Sequence, residues 1–237
     1  MKLRTGLAVL LCLAGQVAIV GTSHAQQVEA AANLTDPALL RAAAEAIDPL
    51  ARSAEAEVAW QAYLTALEAT GGPVADRAYA LNRIGDSRYY RQDFQGGLDA
   101  SLEAQHRLEA AGQASGEPMA DTLANIATFR GALGQWGLEL PLQEQSLEIR
   151  KRLYGTSARG LPPEQAKLLG LGYLNYANAL YTAGRFGEAA ELVAPSIDAM
   201  IAGELRDATL FVAMSSGANM LIDAGRQSEA LELAQRG

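Results

Sequence analysis

The chain has 237 residues, 49% of them hydrophobic and 19% charged, enough apolar side chain to bury a sizeable core. Its net charge of −8 runs against a general nucleic-acid binder, which carries a basic patch. One cysteine and two histidines exclude a disulfide framework and leave no Cys/His cluster for zinc.

Residues 1–25 carry the parts of an export signal. Lys2 and Arg4 form a short positive region, Leu7 to Val20 an apolar stretch, and Ser23-His24-Ala25 a small-residue cleavage site before Gln26. The competing reading is a membrane anchor, but an apolar run of about 14 residues falls short of the roughly 20 that a spanning helix needs. Cys12 lies inside that run without the small residue ahead of it that a lipoprotein cleavage box requires. The expectation is a periplasmic or secreted bacterial protein, cleaved near Ala25, with no stable membrane insertion. Loss of Lys2 and Arg4 from the 19 basic residues leaves 17 against 27 acidic ones, and it also removes Cys12, the only cysteine.

Residues 26–36 (QQVEAAANLTD) are a polar, Ala-rich leader expected to be mobile. Asp36-Pro37 is a helix start, an N-cap followed by proline at the first helical position. Helical periodicity then runs to Thr70, through Leu40, Ala44 and Ile47 and on through Val58, Leu64 and Leu67, with Pro49 expected to break or bend it. We read residues 37–75 as a degenerate or capping hairpin, with Glu45, Arg52, Glu55 and Glu57 supplying a polar face.

From residue 76 onward one pattern recurs. In Leu171–Ile201, Tyr173, Tyr176, Ala177 and Leu180 form the apolar stripe of a first helix. Ala183-Gly184-Arg185 breaks it, and Phe186, Ala189, Ala190, Val193 and Ile197 form the stripe of a second helix. Ile84-Gly85 followed by Phe94, and Ile126-Ala127 followed by Trp136, keep the same spacing; Gly217-Ala218 followed by Gln227 and Ala230 keeps it without the aromatic. The turns are Arg91-Gln92-Asp93, Leu133-Gly134-Gln135, Ala183-Gly184-Arg185 and Ala224-Gly225-Arg226. The small anchors at 85, 127, 177 and 218 are about 42, 50 and 41 residues apart, and the breaker stretch Gly155–Pro163 accounts for the longest step. The units read as about 76–118, 119–163, 164–205 and an incomplete 206–237. Pro141 is expected to kink the second helix of its unit or shift its start by one turn.

Small residues at the eighth and twentieth positions and an aromatic at the seventeenth, here Ala177, Ala189 and Phe186, resemble the tetratricopeptide repeat (TPR). The step length is similar to the extended repeats of the kinesin light chain type, as is the ending SLEIRKRLYG after Gln145. The resemblance implies an all-α fold: a right-handed superhelical α-solenoid of antiparallel helix pairs with a groove lined by first helices. Carried over by position, the groove residues are Asn82, Asp86 and Tyr89, then Asn125 and Thr128, then Asn175, Asn178 and Tyr181, and Asn219. A carboxamide offers both donor and acceptor, so such a ladder suits the backbone of an extended peptide, and tyrosine adds flat apolar contact with a polar tip. The same asparagines could instead solvate the face or bond a neighbouring helix. Arg83 and Arg88 do not match the basic positions of the family's carboxylate clamp.

Catalytic motifs are absent. There is no HExxH, GxSxG or GxxxxGK[ST], and Gly170-Leu171-Gly172 lacks the third glycine and the strand of a dinucleotide fingerprint. His106 stands alone, and Arg150-Lys151-Arg152 reads as a basic helix end complementing the dipole. The expectation is therefore a scaffold that binds a protein or peptide, with no cofactor, no metal and no enzymatic activity of its own. The alternative is the N-terminal regulatory array of a longer protein with a caspase-like CHAT domain, a family that some exported extended-TPR proteins resemble. The incomplete fourth unit favours a fragment of a longer chain; otherwise the uncapped end is expected to self-associate.

Overall fold

The computed structural model describes residues 36–235. The export signal and the leader up to residue 35 lie outside the described residues. All regular structure among the described residues is helical: α1 (Pro37–Glu45), α2 (Ser53–Thr70), α3 (Val74–Tyr89), α4 (Phe94–Ala110), α5 (Glu117–Ala132), α6 (Trp136–Tyr154), α7 (Pro163–Thr182), α8 (Phe186–Glu191), α9 (Val193–Ala202), α10 (Ala208–Asp223) and α11 (Gln227–Ala234).

Helix starts and stops follow local chemistry. Asp36 Oδ1 accepts from the Ala38 N–H at 2.8 Å, which satisfies one orphan donor of α1. Gly71, at φ 69°, ends α2 in the left-handed conformation. The turns joining first to second helices share one geometry. In each, two successive N–H groups donate back to the ends of the first helix: Gly134 to Gly131 and Gln135 to Arg130, Gly184 to Tyr181 and Arg185 to Leu180, Gly225 to Ile222 and Arg226 to Leu221. The left-handed residue is Gly134, Gly184 or Gly225, but in the first repeat it is Gln92 at φ 62°.

The described residues divide after Arg107 into two compact units. In the first, α1 packs on α2 and α2 on α3. Trp60, buried in α2, stands edge-on to Tyr79 of α3 with ring centroids 5.5 Å apart. In the second unit α5 packs on α6, α6 on α7, α7 on α8 and α9, both of these on α10, and α10 on α11. Each later first helix is thus held between the second helix before it and the one after it. The core there includes Ala177, Leu180, Ala189, Val193, Ile197 and Met200. Full burial of a Leu or Ile side chain stabilises by about 1.5–3 kcal/mol, and the small alanines let the helices approach.

Backbone contact sets the closest crossings. A Cβ added to Gly170 would lie 2.8 Å from the Met200 nitrogen and 3.0 Å from the Ser196 oxygen. Gly170 and Gly172 are therefore packing residues, Gly172 lying against the Arg150 side chain. Ser146 Oγ donates to the Ala120 carbonyl at 2.7 Å, and Ser196 Oγ repeats the contact to Gly170 at 3.0 Å, so a buried serine ties second helix to first in both hairpins.

The structure changes several local expectations. The second helix of the third repeat is not continuous: it breaks at Leu192 into α8 and α9. Pro195 has no N–H for the Glu191 carbonyl and its ring crowds that carbonyl, so the helix restarts one turn earlier. Pro141 does not shift the start of its helix: α6 begins at Trp136 and continues through the proline. Pro141 sits near the helix start and forgoes a single intrahelical bond. In the fourth repeat the tight position is Gly217, where a Cβ would lie 2.7 Å from Val193 Cγ1, while Ala218 is only half-buried. Glu57 is not on an outer face: it accepts from Arg88 at 2.9 Å and from Arg91.

Arg150 does more than complement a helix dipole. Its side chain is 3% exposed and its guanidinium binds Glu117 at 2.8 Å and Asp121, both on α5. Tyr154 O–H donates to the other Glu117 oxygen at 2.9 Å. Only Lys151 and Arg152 remain near the surface, Lys151 ion-paired with the Glu148 carboxylate at 2.8 Å and Arg152 Nε donating to the Glu148 backbone carbonyl at 3.3 Å.

Candidate functional site

The predicted groove residues all lie on first helices, and the structure gives each a definite environment. In the first unit Asn82 is 2% exposed, inside the packing and out of reach of a partner. Asp86 is half-buried and paired with Arg83 at 3.0 Å. Tyr89 is exposed and stacks at a tilt on Phe94, centroids 5.3 Å apart.

In the second unit Asn125 and Asn175 are half-buried, while Asn178 and Asn219 are exposed. Thr128 is exposed, but its hydroxyl donates to the Ala124 carbonyl at 2.9 Å, one turn back on α5. Tyr181 is half-buried, its ring 5.2 Å from Phe186, and its O–H donates to Asp223 Oδ2 of α10 at 2.5 Å. That hydrogen bond to a carboxylate pushes the phenol above its ordinary pKa. Asp223 thereby ties one first helix to the next.

Two arrangements escaped the sequence reading. One is a pocket of about 180 Å³ in the first unit, lined by Ile47, Pro49, Trp60, Tyr79, Arg83 and Asp86 among others. The Arg41 and Arg83 guanidiniums lie 4.7 and 5.3 Å from the Tyr79 ring centre, and Tyr79 O–H reaches Glu45 at 3.4 Å. Burial raises the Tyr79 phenol above its usual range. The signal for it was an aromatic at 60 and another at 79 on consecutive helices, with no spacing rule to connect them. The other arrangement is at the α5–α6 turn, where Trp136 is 53% exposed and Glu139 lies against Gly131. Among the described residues no group of three or more His, Cys, Asp or Glu is placed to hold a metal ion, and no helix is long and apolar enough to cross a membrane.

Comparison with known proteins places this geometry. A family model described as Tetratricopeptide repeat matches residues 119–158, the α5–α6 hairpin and the residues just beyond it. Three solved structures share the fold. BtubC (BKLC) from P. vanneervenii superposes with a TM-score of 0.67 at 14% identity, over 91% of this chain and 90% of that one. A putative kinesin light chain of Podosopora anserina, made of nearly identical TPR-like repeats, gives 0.56 at 17% identity over 86% and 92%. A single-substitution form of that protein gives 0.54 at 16% identity over 91% and 95%. No curated protein sequence matches the chain. At these identities the likeness carries the fold, an all-α solenoid of TPR-like helix pairs.

Proposed function

We propose that this TPR-like chain is an exported, non-enzymatic scaffold that binds an extended segment of a protein partner along α5, α7 and α10. The fold itself supports a protein-interaction role, because stacked hairpins present a row of first helices instead of a closed catalytic cleft. The observation that carries the finer reading is the pair of exposed carboxamides, Asn178 and Asn219, at equivalent places on consecutive first helices. Beside them Tyr181 is pinned by Asp223, so its ring is ordered before a partner arrives and little entropy is lost on contact. Export rests on the signal pattern of residues 1–25.

A peptide-display selection against the folded chain tests the groove. Selected peptides should lose about fivefold in affinity with Asn178→Ala and again with Asn219→Ala, the equivalent of one hydrogen bond each. Neither substitution should move the melting temperature. Peptides indifferent to both changes would overturn the groove reading. Export is tested by the mass of the chain in the periplasmic fraction, which should lack residues 1–25.

We also propose that α10 and α11 pair with a second copy of the chain. Phe211 is 74% exposed, Val212 57% and Leu231 61%, an apolar load that water disfavours.

A further inference from the structure

The twelfth and twentieth positions of the repeats pair a large residue with a small one: Tyr89 with Gly97, Tyr181 with Ala189, Ile222 with Ala230. In the α5–α6 hairpin the pair is inverted, with Gly131 at the first place and Glu139 at the second. The Glu139 carboxylate lies over the bare α-carbon, since a Cβ at Gly131 would be 2.5 Å from its Oε2. A negative charge thus occupies the region that a tyrosine fills in two other repeats. Glu139 is half-buried and makes no side-chain hydrogen bond or ion pair among the described residues. The cation nearest in sequence, Arg130, is held by the Gln135 carboxamide. A first-turn position suits an acidic residue, but it does not account for a carboxylate folded inward without a partner.

The same inversion uncovers Trp136. Phe94 and Phe186 each lie against a tyrosine, at 5.3 and 5.2 Å. Trp136 has Gly131 in that place and stays 53% exposed, with its Nε1 edge close to the Gly134 turn. Trp136 and Glu139 are three residues apart on one helix, so they share a face. An indole and an unpaired carboxylate on one helix face supply the chemistry that holds an alkylammonium or guanidinium. We propose that Gly131, Trp136 and Glu139 form a subsite for one lysine or arginine side chain of the bound segment. The stem lies along the indole and the cation meets the carboxylate. The inference rests on the groove reading for the peptide that delivers this side chain. Burial alone pushes the Glu139 carboxyl above its usual range, and an arriving cation would reverse that.

The test uses the full chain and two fluorescein-labelled peptides, a Lys-Ser repeat and its Glu-Ser counterpart, read by anisotropy. The wild-type chain should bind the first and not the second. Glu139→Gln should weaken binding about tenfold, the loss of one charge-assisted contact at a half-buried carboxylate. Gly131→Tyr with Glu139→Ala, which restores the arrangement of the third repeat, should weaken it as much. Glu232→Gln removes the same charge from an exposed site on α11 and should leave affinity unchanged. No binding by the wild type, or equal weakening by Glu232→Gln, would overturn the subsite. Sensitivity to Asn178→Ala with indifference to Glu139→Gln would overturn the subsite and leave the groove standing. The opposite pattern would support the subsite and remove the groove.

Discussion

Replacing Arg150 with methionine tests the packing of the α5–α6 hairpin. The guanidinium, 3% exposed, donates to Glu117 at 2.8 Å, to Asp121 and to Ser146 Oγ at 3.4 Å. Methionine fills much of the stem volume but leaves Glu117 with only Tyr154 as a donor. Removing one member of a buried pair costs about 3–5 kcal/mol. Glu117 and Asp121 are 20% and 33% exposed, so water recovers part of the loss and the lower end, about 3 kcal/mol, applies. For a chain of this size that lowers Tm by roughly 6–12 °C. The pH dependence adds a sign. Burial is the largest influence on Glu117 and raises its folded-state pKa, with the Arg150 charge opposing. A carboxyl raised on folding holds its proton longer in the folded state. Its contribution is fully present below the unfolded pKa and falls away as pH rises through the folded one. Without Arg150 that window widens upward, so the penalty should be largest near neutrality and shrink toward the ordinary carboxylate range. Urea unfolding at neutral and acidic pH measures both effects. A loss under about 1 kcal/mol, or one that does not change with pH, would refute the buried-pair account, as would failure of Glu117→Gln to restore part of the stability.

Four further outcomes follow from the same geometry. Gly170→Ala drives a methyl into the α9 backbone and should cost about 1–3 kcal/mol in urea unfolding, whereas Gly187→Ala, with open space around it, should be neutral or stabilising. Ala177→Leu, at a site 1% exposed, should cost a similar 1–3 kcal/mol, while the neighbouring Asn178→Ala changes Tm little. Gln92→Gly relieves a left-handed non-glycine residue and should gain up to about 1 kcal/mol; a lower Tm would show that the Gln92 side chain matters more than its backbone. Phe211→Ser should lower the concentration dependence of the mass in sedimentation without lowering Tm, and unchanged association would remove α10 from the interface.

Helical class, the four turns and the small residues at the crossings are legible in the chain because their causes act within a few residues. A stripe of period 3.6 needs only its own helix, and three of the four left-handed turns need only their own glycine, the first using Gln92. Where two elements meet, local pattern stops informing. Arg150 reads like any basic residue at a helix end because its partners lie 33 and 29 residues earlier. Asn82 reads like Asn178, since both are carboxamides on first helices, yet packing buries one and leaves the other in water. The α8–α9 break at Leu192 lies beside Pro195, whereas Pro141 leaves α6 continuous, so proline alone does not decide a break. Gly131 and Glu139 are eight residues apart and neither is unusual alone. Sequence sets the hairpins because backbone hydrogen bonding and hydrophobic period are local. Which side chains are paired, buried or left facing a partner is decided only when one hairpin packs on the next, because desolvation depends on everything that surrounds a group.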